Sequence, residues 1–113
     1  MVPGQRGRPP AEPSRARQPT VRERSAAYTD PETAEWATRQ VLAGHEQVIR
    51  RWLARTGRGR LAVEAAWPSR DRPVGHVRIA GEARAVRAAR VVLRRDSAQP
   101  RGFAVHASFP VRL

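Results

Sequence analysis

His106 and Ser108 stand two positions apart in a run that alternates Phe103, Val105, Ala107 and Phe109 with Ala104, His106 and Ser108. A strand of that period sets His106 and Ser108 together on its polar side. An imidazole there can give or take a proton near neutral pH, and the hydroxyl beside it can hydrogen-bond a reacting oxygen. These two are the candidate catalytic residues. Of the other histidines, His45 falls on an apolar helical stripe and reads as a packed side chain. His76 falls on the polar side of a strand and reads as a solvated one. The three are too scattered to ligate a metal, and Gly57-Arg58-Gly59-Arg60 lacks the spacing and the following helix of a phosphate loop. No metal and no cofactor is expected.

The second chemistry is that of arginine. The 113 residues hold 22 Lys+Arg, all of them Arg, against 10 Asp+Glu, a formal net charge of +12. An Arg-only, Ala-rich composition is also what GC-rich coding produces, so the missing lysine is not itself a binding signal. The charge excess is. Guanidinium groups fork onto phosphate and stack on bases, and a cationic field draws in polyanions. Arg50, Arg51, Arg58, Arg60, Arg94 and Arg95 are the candidate RNA contacts. Any one of them reads as readily as a solvated cation; their sum favours an anionic partner.

Composition also excludes. With no Cys there is no disulfide scaffold, thiolate metal site or cysteine nucleophile. No run approaches the roughly 18 apolar residues of a membrane span, so no membrane insertion is expected. No apolar h-region of a secretory signal is readable. Nothing in the sequence specifies an oligomeric state.

The elements that must position these groups follow from periodicity. Residues 1–24 contain five Pro and six Arg, with Val2 and Val21 as the sizeable apolar side chains after Met1. Such a segment buries too little to offset its ordering entropy, and it reads as a disordered Arg/Pro-rich tail or linker. Residues 25–113 are left to form one domain. Asp30-Pro31 or Thr29 with Glu32 starts a helix. Ala34, Thr38, Val41, His45, Val48 and Trp52, widened by Ile49 and Leu53, carry its stripe through Gly44 to about Arg55. Strands are predicted at Leu61–Trp67, around Val77–Ile79, at Val86–Arg95 and from Phe103 to Phe109. The fold class is therefore α+β, one long N-terminal amphipathic helix on an antiparallel sheet of about four strands. Trp52, Leu53, Val63, Val91, Leu93 and Phe103 form the expected core. Trp36 lies off the stripe and is expected over a sheet edge or at a contact.

Four blocks occur in an order that resembles a known family. They are Tyr28-Thr29-Asp30-Pro31-Glu32-Thr33-Ala34-Glu35, Ile49-Arg50-Arg51-Trp52-Leu53, Val91-Val92-Leu93-Arg94-Arg95-Asp96, and Gly102-Phe103 leading to Phe109-Pro110. The family is the RNase A-like toxin domain at the C-terminus of CdiA contact-dependent inhibition proteins and other polymorphic toxins. The resemblance implies a ribonuclease A-like fold without disulfides, and metal-independent RNA cleavage in which the 2′-hydroxyl attacks the adjacent phosphate. It also implies RNA, transfer RNA among its classes, as one partner and a cognate immunity protein, expected to be acidic, as another. The place of action is then the cytoplasm, or a target cell's cytoplasm reached as part of a larger effector.

The site residues depart from the family pattern. The family carries a catalytic His and Arg upstream of the first block, whereas residues 1–24 contain no His, and Arg22 and Arg24 are the arginines nearest that block. The family's final Thr-x-Tyr-Pro signature reads Ala107-Ser108-Phe109-Pro110. Both hydroxyls are replaced by side chains of the same packing character. The expectation is an RNA-binding family member with a degenerate active site. The alternative is a non-catalytic interaction module, the orphan C-terminal fragment of a larger secreted effector.

Overall fold

A computed structural model describes residues 26–113; the Arg/Pro-rich segment 1–24 lies outside the described residues. In chain order the elements are β1 (Ala26–Tyr28), α1 (Pro31–Ala43), α2 (Glu46–Ala54), β2 (Leu61–Ala66), β3 (Gly75–Ile79), β4 (Glu82–Val86), β5 (Ala88–Arg95) and β6 (Phe103–Pro110). The strands make two antiparallel three-stranded sheets, ordered β1-β3-β4 and β2-β5-β6.

The helix starts where its cap predicts. Asp30 is extended, Pro31 takes the first helical position, and the Asp30 carboxylate accepts from the Thr33 backbone N–H at 2.7 Å. That bond occupies one of the otherwise unpaired N-terminal donors. The expected single helix is, however, two. In an unbroken helix the Val41 carbonyl would take the backbone N–H of His45. Instead the His45 ring donates from Nδ1 to Val41 O at 2.7 Å, and its backbone N–H turns to Leu42 O at 3.1 Å. Gly44 lies beside the break, and α2 then buries Ile49 and Trp52 while Val48 of the expected stripe is exposed. Apolar residues at helical spacing on both sides hid the break.

The helices lie on one face of the β2-β5-β6 sheet. Ala37 and Val41 of α1, Ile49 and Trp52 of α2, Val63, Ala89, Val91, Leu93 and Phe103 are buried together. Of the expected core, Leu53 is half-buried at its margin and the other five are buried. Each large apolar side chain buried here contributes roughly 1.5–3 kcal/mol. On the opposite face Ala88, Phe109 and Val111 form a second cluster with Ala26, Val92 and Ala107 packed against it. The partly buried Arg90–Glu64 ion pair joins neighbouring strands there.

The expected four-strand sheet is also corrected, to six strands in two sheets. The run from Val86 to Arg95 is not one strand but a changeover at Arg87. Val86 O accepts from Val74 N, Arg87 O from Trp67 N and Ala88 O from Val111 N, so three successive carbonyls pair with three different segments. Polypeptide leaves one sheet and enters the other within one residue. A run of apolar and Ala residues does not record that change of partner.

The two sheets close against each other at Gly75. A Cβ built there would collide with the Ala27 carbonyl oxygen and lie 2.8 Å from Pro110 Cγ. Gly75→Ala should therefore destabilise the fold by about 1–3 kcal/mol or more, read as a lowered denaturant midpoint. An alanine at Gly59, where nothing lies within 4 Å, should leave the midpoint close to wild type.

Candidate RNA interface and acid–base residues

Strand β6 does not keep the strict alternation expected of it. Phe103 pairs with Arg95 and Val105 with Leu93, yet the next rungs are Ala107 with Val92 and Ser108 with Val91. His106 is the extra residue of a β-bulge, and past it every side chain changes face. Phe103 and Val105 thus lie on the helix side, whereas Ala107 and Phe109 join the second cluster. Ser108 moves to the helix side. His106 and Ser108 do not share the polar face that alternation assigned them.

The bulge gives Ser108 a definite neighbourhood. Its Oγ is 2.8 Å from Tyr28 OH and 2.7 Å from Thr38 Oγ1, and Thr38 in turn donates to Ala34 O at 2.8 Å. Three hydroxyls thereby tie β1, α1 and β6 together. Burial raises the Tyr28 pKa, against the lowering effect of its hydroxyl neighbours. His106 is exposed and, among the described residues, forms no side-chain hydrogen bond. The chemistry available on β6 is the exposed imidazole of His106 and, facing inward elsewhere, a hydroxyl network suited to fastening elements. His45 is the satisfied structural histidine expected, and His76 is exposed.

The candidate arginines divide by what they touch. Arg95 points into the fold: Nη2 donates to Trp52 O at 2.7 Å and Arg55 O at 3.2 Å, and Nη1 donates to Gly59 O at 3.0 Å. Its guanidinium lies 4.6 Å from the Trp52 ring centroid, and its buried Nε has no partner. It caps the carbonyl end of α2, where a cation is favoured. Arg94 pairs with Asp96 at 3.2 Å. Arg50, Arg51, Arg58 and Arg60 are exposed on α2 and the loop after it, with no ion pair among the described residues. Arg50 also edges a cavity of about 310 Å³ floored by Leu42, Ile49, Leu53 and Phe103, with Arg101 as a second cation lying 4.4 Å over the Phe103 ring.

Two features went unread in the sequence. Arg101 follows Pro100 in what reads only as a turn. Trp36 packs at 4.9 Å against Trp67, with the Arg70 guanidinium 4.6 Å over its ring. No spacing rule links Trp36 to Arg70, because the loop after β2 brings them together. Among the described residues, no cluster of three His, Cys, Asp or Glu could hold a metal, and no helix is long and apolar enough to cross a membrane.

Residues 13–110 match the family described as the bacterial CdiA-CT RNAse A domain. The chain belongs to this family. The match begins inside the Arg/Pro-rich segment and ends at the last residue of β6. Among solved structures, the CdiA-CT/CdiI complex from Y. kristensenii 33638 has a chain of the same fold, with TM-score 0.70 and 24% identity over 90% of this chain and 89% of that one. No curated protein gives a significant match. The CdiA-CT RNase A fold is thus made here without cysteine. Ala107-Ser108-Phe109-Pro110 occupies the far side of the β6 bulge.

Two substitutions separate fold from surface. Arg95→Met keeps apolar length but removes the charged donors to Trp52 O, Arg55 O and Gly59 O, and it should cost about 1.5–3 kcal/mol of stability by denaturant titration. Arg50→Gln with Arg58→Gln should leave that midpoint unchanged. Tyr28→Phe should cost about 0.5–1.5 kcal/mol. A raised folded pKa means wild-type stability is fully present below the ordinary tyrosine value, about 10, and is lost as pH rises through the folded value. Tyr28→Phe should lack that alkaline loss.

Proposed function

We propose that the domain is the RNA-directed part of a contact-dependent inhibition toxin. It holds RNA through exposed arginines and cuts it poorly or not at all. The observation that carries the reading is the group Arg50, Arg51, Arg58 and Arg60, four guanidiniums without carboxylate partners among the described residues. An ordinary solvated face would have its positive charge interleaved with acid, as Arg39 is with Glu35 and Arg84 with Glu82. Phosphate is the anion such groups fit, and release of its counterions supplies the binding free energy.

Cleavage by attack of the 2′-hydroxyl needs a base, an acid and a cation at the phosphate. His106 is the imidazole available on β6, whereas Arg94 is paired with Asp96 and Arg101 lies over the Phe103 ring. Ala107 and Phe109 offer no hydroxyl for the reacting oxygens, and Ser108 is committed to Tyr28 and Thr38. The other exposed imidazole among the described residues, His76, belongs to β3 rather than β6, and on this reading the chemistry is slow at most.

A protein partner belongs to the same reading. The solved relative was crystallised with CdiI. By that likeness an acidic immunity protein would cover the arginine surface and compete with RNA for it. The working location is the cytoplasm of a target cell, where RNA is present.

Incubation of the chain with transfer RNA in EDTA, with His106→Ala alongside, tests the proposal. The expected outcome is retention without strand scission. Affinity should fall roughly 100-fold between about 50 and 200 mM salt if some four phosphates are contacted. The Arg50→Gln, Arg58→Gln double variant should flatten that slope. Cleavage that disappears in His106→Ala would restore the enzyme. Absence of both cleavage and salt-sensitive binding would leave the interaction module.

A further inference from the structure

A second groove lies away from the arginines of α2, at the start of α1 and along the loop after β2. It has a volume of about 530 Å³, and its lining includes Asp30, Glu32, Trp36, Arg70 and Arg72. Its charge is mixed, two carboxylates with two guanidiniums. A site for bare phosphate would not carry two carboxylates, since each opposes an incoming anion. The ligand that suits it has a flat face, a negative group, and hydrogen-bond donors for a carboxylate.

The flat platform is already assembled. Trp67 packs on Trp36, and Trp36 on the Arg70 guanidinium. Arg70 is fixed in that position by Nη1 donating to Arg72 O at 2.7 Å and to Pro73 O at 3.3 Å. The loop that carries it is held by Arg87, which donates to Arg70 O at 2.7 Å and Asp71 O at 3.0 Å. Trp36 lies against the Arg70 guanidinium, and bases stack on Arg planes as they do on aromatic rings. Holding the side chain in advance removes most of the ordering cost of that stack.

The two carboxylates are not equivalent. Asp30 is occupied, accepting from Thr33 N at 2.7 Å and from the Thr29 hydroxyl at 3.4 Å. Glu32 is exposed, with no ion pair or hydrogen bond among the described residues. A carboxylate only accepts hydrogen bonds. Of the four RNA bases only guanine sets two donors side by side on its pairing edge, N1–H and the N2 amino group. Arg72, exposed at the same groove, is placed for the nucleotide's phosphate.

We infer that this groove is a guanine subsite for single-stranded RNA, with the base stacked on Arg70 over Trp36, its pairing edge on Glu32 and its phosphate at Arg72. The subsite rests on the RNA-binding reading above and adds base selectivity to it.

The test compares short single-stranded oligonucleotides that differ at one position, G against A, C or U, with tryptophan fluorescence and anisotropy as readouts. The G form should bind about tenfold more tightly, the scale of one bidentate base contact, and should quench the tryptophan fluorescence on stacking. Glu32→Gln, a change on an exposed side chain, should reduce the G preference to near unity while transfer RNA binding keeps its salt slope. Arg70→Lys keeps charge but not the plane, and should lose the quenching. Equal affinity for all four oligonucleotides, with transfer RNA still bound, would overturn the subsite alone and leave the groove to a protein contact. A G preference unchanged in Glu32→Gln would overturn the pairing-edge assignment. Failure to bind any RNA would remove the RNA-binding reading itself.

Discussion

Strand β6 has to satisfy two cores that lie on opposite faces of its sheet. Phe103 is needed under the helices, and Phe109 is needed in the cluster with Ala88 and Val111. Six positions separate them, so a strand of period two would deliver both to the same face. One extra residue resolves the conflict, and that residue is His106. The rest of the C-terminal half follows from it. Ser108 turns inward to Tyr28 and Thr38, Ala107 and Phe109 pack into the second cluster, and the imidazole is pushed to the surface of the bulge. The positions on either side of the bulge thereby hold two packed layers together.

Local chemistry was legible and tertiary decisions were not. Asp30-Pro31 announces a helix start because a cap is a matter of three or four residues, and the structure begins α1 there. The interior apolar residues of β2, β5 and α2 were equally readable, since Val63, Val91, Leu93 and Trp52 sit in plain periodic patterns. The break at Gly44 was hidden because apolar residues recur at helical spacing on both sides of it, while the side chain of His45 replaces its own backbone N–H on Val41 O. Strand β1, only three residues long, has no period to read and exists through its pairing with β3. The changeover at Arg87 was invisible for the opposite reason: the apolar character persists while the hydrogen-bonding partner changes.

The arginines show the same division. Composition announces a cationic surface but cannot sort the cations. Arg95 and Arg50 look alike in sequence, each beside apolar residues of a periodic element. Geometry makes Arg95 a helix cap over Trp52 and leaves Arg50 at the mouth of a cavity. The partial burial of the Arg95 side chain is offset by three carbonyls that receive its protons, since desolvating a cation without such partners is costly. Family membership sharpened the meaning of the remaining charge without locating it, since a family match fixes a fold more firmly than it fixes contacts.

The tripod of Tyr28, Thr38 and Ser108 joins residues 80 positions apart, and Gly75 is wedged between Ala27 and Pro110. Contacts of that separation are the slowest to form, because the intervening loop must close before any of them can contribute. In a chain made or translocated from its N-terminal end, β1 and α1 emerge long before the strand that fastens them. Until residues 103–110 arrive, the sheet beneath the helices lacks its third strand and Val91 and Leu93 lack one of their covers. The domain therefore completes its structure last-residues-first in importance, and a truncation of even its final strand would cost far more than the same number of residues removed elsewhere on the surface.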